Sequence, residues 1–241
     1  MPRLIYAALC FCFIFVMTVL GAACVFFAGK GKKTQLLQGA SAGIMLAASF
    51  WSLLMPSLGG ARELFAFPAA AVALSVSVGA AFIYFLDLFC VKAGRSGDKN
   101  GKIFWAITLH NIPEGLAVGI AFGSCGVSLT GAIGVALAIG IQNFPEGMAT
   151  AVPMNNALQN KKKAFLAGVL SGAVEPLFAV FGLVLAEYAA IISPLALSFA
   201  AGAMIYVCSS ELIPDGCKTR GGNITFTLGF ILMTFLDILF G

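Results

Sequence analysis

The sequence predicts an all-α integral membrane protein: one domain of eight transmembrane helices with both termini outside. Composition, the length of the charge-sparse runs and the sidedness of the basic residues carry that prediction. Of 241 residues, 60% are hydrophobic and 10% charged. So few charges cannot cover a soluble domain of this size, and lipid must solvate most of the surface. Apolar runs long enough to cross about 30 Å of hydrocarbon place spans near 4–29, 37–57, 67–90, 103–123, 128–154, 163–188, 191–213 and 221–240. No linker or low-complexity stretch divides 1–241.

Taken in order, the first 24 residues, ending Gly-Ala-Ala-Cys24, have the look of a secretory signal. Their apolar core is too long for one and the residues before Cys24 make a poor lipobox, so the segment reads as a retained helix. The second span carries Ala42-Gly43-Ile44-Met45-Leu46 and ends near Pro56; the seventh carries Ala201-Gly202-Ala203-Met204-Ile205 and ends near Pro214. These two spans run in opposite directions, as an inverted repeat requires. Gly115, Gly119 and Gly123 on the fourth span, with Gly168 and Gly172 on the sixth, form small-residue stripes suited to close helix packing.

Orientation follows from the loops. Those after the first, third, fifth and seventh spans hold twelve of the fourteen Lys and Arg residues, and the other side holds Arg3 and Arg62. The positive-inside rule makes those four loops cytoplasmic. The net charge of +4 therefore belongs to membrane topology, and no nucleic-acid partner is expected. Seven cysteines include no CxxC pair, and those inside apolar runs behave as small hydrophobes.

The fourth span contains His110-Asn111-Ile112-Pro113-Glu114-Gly115 and the fifth repeats the pattern as Gln142-Asn143-Phe144-Pro145-Glu146-Gly147. Each motif puts a nitrogen or oxygen ligand at i, a second at i+1 and a carboxylate at i+4, positions that share one helical face. Each proline leaves a carbonyl one turn back without its helical bond, at Leu109 and Ile141. The sixth span adds Glu175-Pro176. An intramembrane carboxylate costs about 2.5–3.5 kcal/mol, and Glu114, Glu146 and Glu175 have no Lys or Arg at their depth in the sequence. Bound cations or protons must compensate them. One imidazole, three carboxylates and three amides form a mixed nitrogen and oxygen set that suits Zn²⁺, Fe²⁺, Mn²⁺, Co²⁺ or Cd²⁺ better than Cu⁺. The neutral amides favour release as well as binding.

On these residues the chain resembles the ZIP (Zrt/Irt-like) metal transporter family, and most of all its bacterial GufA-type branch. HNIPEG, QNFPEG and Glu175-Pro176 match that family's signatures, and the resemblance covers essentially the whole chain. It implies a 3+2+3 inverted-repeat bundle, alternating access and a two-metal site that imports divalent metal ions, zinc foremost, into the cytoplasm. His110, Glu114, Gln142 and Glu146 would form one metal position. Met45 would join it from the second span, either as a ligand or as a packing residue beside it. Asn111, Glu114, Asn143, Glu146 and Glu175 would form the other position, with Glu114 and Glu146 bridging. Ser52, Ser210 and Glu211 would lie along the path toward the cytoplasm. The resemblance further implies a homodimer in a bacterial inner (cytoplasmic) membrane, crossing it many times, with the metal as cargo and no resident cofactor.

Two other classes stand beside it. A carrier of a small organic solute would use the glutamates for protons alone. An intramembrane metalloenzyme would need HExxH or paired ExxH motifs, and one histidine in the order HxxxE supplies neither.

Overall fold

A computed structural model describes the backbone of residues 2–27, 32–90, 99–123, 127–186 and 189–240. Within these, the side chains of 32–34, 86–87, 90, 99–103, 105–107, 109–110, 153, 156–157, 189–191 and 240 lie outside the described set. The basic loop over 91–98 lies outside the described residues.

The described residues are helical throughout, with no strand. In chain order the helices are α1 (Pro2–Ala23), closed by a 3₁₀ turn at Cys24–Phe26, α2 (Lys32–Ala48), α3 (Met55–Leu64), α4 (Pro68–Cys90), α5 (Lys99–Gly123), α6 (Leu129–Leu158), α7 (Lys161–Gly172), α8 (Val174–Leu185), α9 (Ala189–Val207), α10 (Ile213–Gly216) and α11 (Arg220–Phe240). π-helical turns at Ser49–Leu54 and Cys208–Leu212 join α2 to α3 and α9 to α10. Among the described residues six stretches are long and apolar enough to cross a membrane: Pro2–Phe26, Gln35–Leu64, Pro68–Phe85, Lys161–Leu185, Ile192–Gly216 and Arg220–Leu239. The other two long helices, α5 and α6, have 25 and 30 residues and carry the polar motifs, which dilute their apolar character.

Three boundaries differ from those read in the sequence. The second span continues to Leu64 rather than stopping near 57, because Pro56 falls in the first turn of α3, where its missing N–H forfeits little. Pro214 does the same at α10, so the seventh span reaches Gly216. The sixth span is two helices, not one, broken at Ala173 with Glu175 in the first turn of α8. Pro113 and Pro145, by contrast, leave α5 and α6 continuous.

α1 packs along α6, α5 along α8, α2 along α11 and α4 along α9. Each pairing brings backbone against backbone where a glycine omits its side chain. A Cβ on Gly147 would stand 2.8 Å from the Ala22 nitrogen, one on Gly115 3.0 Å from the Glu175 carbonyl carbon, one on Gly43 2.9 Å from the Phe226 carbonyl carbon and one on Gly202 2.7 Å from that of Val76. Where helices have no water to expel between them, this close fit is the main source of association.

Two side chains fix which helix ends lie together. The Arg3 guanidinium donates to the carbonyls of Phe122 (2.7 Å), Ala121 (3.1 Å) and Val127 (2.9 Å), which ties the start of α1 to the end of α5. At the opposite end Lys161 Nζ donates to the Phe26 carbonyl at 2.8 Å. The turn between α6 and α7 is built from Gln159 in the left-handed region (φ 48°) and Asn160, whose side chain caps α7 by accepting from the Lys163 amide at 3.0 Å.

Candidate metal site

The polar cluster lies where α5, α6, α8 and α1 meet. Asn111, Glu114, Gln142, Asn143, Glu146 and Glu175 are each fully buried. The motif spacing explains the convergence on α5 and α6. The final glycine of each motif explains the approach of the other two helices, since Gly115 admits the backbone of α8 at Glu175 and Gly147 admits that of α1 at Thr18.

Neutral donors hold Glu114 and Glu175. Gln142 Nε2 donates to Glu114 Oε1, and Asn143 Nδ2 donates to Glu175 Oε2. The second hydrogen of the Asn143 amide reaches the Ile14 carbonyl at 3.3 Å. Thr18 Oγ1 donates to Glu175 Oε1 at 2.8 Å, and Asn111 Nδ2 donates to the Ser171 carbonyl at 2.9 Å. With their N–H groups so engaged, Asn111 Oδ1, Gln142 Oε1 and Asn143 Oδ1 are buried and accept no hydrogen bond. A buried amide oxygen left so costs about 1–3 kcal/mol, and three of them beside three carboxylates are the arrangement a cation relieves. Among the described residues no three of His, Cys, Asp and Glu are gathered as a ready cage; amides stand between the carboxylates instead.

The side chain of His110 lies outside the described set, though its backbone belongs to α5. Met45 is buried in a cluster with Met204, Leu53 and Ala149, the last of these one turn after Glu146 on α6. Ser52, Ser210 and Glu211 lie in the two π-helical turns. Ser52 sits in the π-helical turn before α3 and donates to Asp237 near the end of α11. Ser210 and Glu211 belong to the π-helical turn before α10.

Ser52 lines a cavity of about 260 Å³ with Trp51, Pro56, Ile139 and Asp237. A neighbouring cavity of about 320 Å³ shares Ser52 and Pro56 and is bounded further by Glu63, Ser193 and Pro194. Ile139 is one turn of α6 from Gln142, so the cavities stop a single helical turn short of the polar cluster.

Three contributors escaped sequence reading. Thr18 and Ser171 are lone small hydroxyls in apolar helices, which read as packing. Asp237 is a carboxylate within the eighth span and carried the same signal as the three glutamates.

A helical bundle with lipid-grade spans and a buried carboxylate and amide cluster defines an integral membrane protein with a polar core. Residues 101–237 match the family model described as ZIP Zinc transporter. The chain is 32% identical to "Zinc transporter ZIP11" of Homo sapiens, with 94% of each chain covered. It is 35% identical to "Zinc transporter ZIPB" of Bordetella bronchiseptica, over 94% of this chain and 79% of that protein. To "Zinc transporter GufA" of Myxococcus xanthus it is 35% identical over 61% of this chain and 60% of the other. The chain belongs to the ZIP zinc transporter family, a family of multi-pass membrane transporters and not of enzymes.

Proposed function

We propose that this protein carries divalent transition-metal ions, Zn²⁺ foremost and Fe²⁺, Mn²⁺, Co²⁺ and Cd²⁺ with it, across a bacterial inner membrane into the cytoplasm. The observation that carries the reading is the trio of buried, unbonded amide oxygens on Asn111, Gln142 and Asn143 set among Glu114, Glu146 and Glu175. The names of the relatives, all zinc transporters, support zinc as cargo.

In this reading α5 and α6 are the fourth and fifth of eight spans, and the basic loops face the cytoplasm. The helix pairings fit a 3+2+3 inverted repeat: α1 on α6 mirrors α8 on α5, and α2 on α11 mirrors α9 on α4. His110, Glu114, Gln142 and Glu146, with Met45 packed beside them, hold one ion. Asn111, Glu114, Asn143, Glu146 and Glu175 hold a second, the shared glutamates bridging. The cavities at Ser52 are the outer approach, and Ser210 and Glu211 lie on the exit. Alternating access opens the cluster to one side at a time, and two copies assemble as a homodimer.

Binding proceeds by exchange. An arriving cation takes carboxylate oxygens now held by Gln142 and Asn143, and those amides swing round to offer their oxygens. The test is zinc-dependent uptake into proteoliposomes. Wild type should accumulate zinc, and Glu114→Ala or Glu146→Ala should abolish uptake. Uptake at the wild-type rate by Glu146→Ala would overturn the site.

A further inference from the structure

Thr18 lies on α1, outside both motifs, yet its hydroxyl is buried against Glu175. Its position is built. A Cβ on Gly172 would stand 2.6 Å from Thr18 Cγ2 and 3.3 Å from Glu175 Oε1, and Gly147 leaves room for the Thr18 carbonyl. Two glycines on two helices thus form the notch that aims one hydroxyl at one carboxylate oxygen.

That notch has a counterpart. Gly147 and Gly115 hold the same place in the two motifs, and each faces a carbonyl on the helix packed against it: Thr18 on α1 and Glu175 on α8. Under the proposed inverted repeat, Thr18 is the counterpart of Glu175, and the two are bonded to each other at the centre of the bundle.

The Thr18 hydroxyl has one proton and two acceptors in reach, Glu175 Oε1 at 2.8 Å and the Ile14 carbonyl at 3.3 Å. The Ile14 bond is the ordinary back-bond of a helical threonine. The Glu175 bond is charge-assisted when the carboxylate is ionised, and so is the stronger. A cation that takes Glu175 Oε1 leaves the hydroxyl its second acceptor, so that no buried donor is stranded.

We propose that Thr18 is a positioning residue of the cation site, whose hydroxyl holds Glu175 in the empty carrier and turns to the Ile14 carbonyl when a cation takes that oxygen. This rests on the site reading given above. Thr18 competes with the cargo and lowers its affinity, which speeds release.

Zinc calorimetry on the purified full chain tests it, paired with uptake kinetics. Thr18→Val keeps the side-chain shape and removes the donor, so zinc should bind about tenfold more tightly, the worth of a hydrogen bond to a charged group less its weak replacement. In uptake, KM and Vmax should fall together, because release slows. Thr18→Ser keeps the hydroxyl and should match wild type. Thr18→Ala makes the same prediction as Thr18→Val and stands in should the valine variant fail to fold. Weaker or unchanged affinity in the variants lacking the hydroxyl, or tightening in Thr18→Ser as well, would overturn the proposal. Glu146→Ala, run alongside, should lose zinc binding; if it binds like wild type, the site reading fails and the Thr18 proposal falls with it.

Discussion

Gly147→Ala adds one methyl group at the most constrained contact of the candidate site. Its Cβ would lie 2.0 Å from the Thr18 carbonyl oxygen. Ordinary contact begins at about 3.4 Å, so α1 and α6 must part by roughly 1.4 Å, and neither backbone has a flexible end to yield. Overpacking of this kind costs about 1–3 kcal/mol. The same displacement pulls Thr18 from Glu175 and Ile14 from Asn143. Gly59→Ala is the matched control, because a Cβ there meets nothing within 4 Å and alanine is the better helix former by about 1 kcal/mol. Thermal unfolding in detergent and zinc uptake should therefore separate the pair, with Gly147→Ala less stable and slow and Gly59→Ala at least as stable as wild type and fully active. Equal stability and uptake in Gly147→Ala would refute the close-approach argument.

Asn143→Ala should reduce zinc uptake less than Glu146→Ala, because it removes one neutral ligand and leaves every carboxylate; equal loss in both would show that Asn143 carries more than a ligand's share. Arg3→Met removes three hydrogen bonds to carbonyls at and beyond the end of α5 and should lower stability by about 1–3 kcal/mol, read as a fall in unfolding temperature. Cys217, after α10, should react with a membrane-impermeant maleimide only from the cytoplasmic side, and labelling from outside alone would reverse the orientation. Burial pushes the Cys217 thiol up from its ordinary value, so less thiolate is present at neutral pH and the labelling rate should climb steadily as pH rises past the usual thiol range.

The motifs were legible because their chemistry and their period agree. Residues at i, i+1 and i+4 on a helix share a face whatever surrounds them, so Asn111 and Glu114, and Gln142, Asn143 and Glu146, could be placed together from spacing alone. Glu175 was legible because a carboxylate in an apolar run has no bland explanation. What the sequence hid depended on which helices touch. Thr18 belongs to the site only because Gly147 and Gly172 open a notch on two other helices, and nothing along α1 signals it. Pro56 and Pro214 resemble helix ends but follow π-helical turns, which realign the chain so that the helix resumes.

The hydrogen bonds within the site also bear on how a transporter of this kind lets go. A cage of three bare carboxylates would gain the full attraction of a divalent ion and hold it. Here Glu114 and Glu175 accept from Gln142, Asn143 and Thr18, and an incoming ion must replace at least the first two of those bonds. Two charge-assisted hydrogen bonds are worth about 3–6 kcal/mol, which weakens binding by about two to four powers of ten relative to an open cage. In the proposed exchange, part of that would be returned as the swinging amides satisfy their unbonded oxygens on the metal. Under that proposal the donors that weaken the grip are the groups whose oxygens would complete it, so the same amides would serve capture on one side and release on the other. A glutamine and an asparagine, where a stronger anionic ligand would bind harder, are then what the α6 motif of a carrier needs.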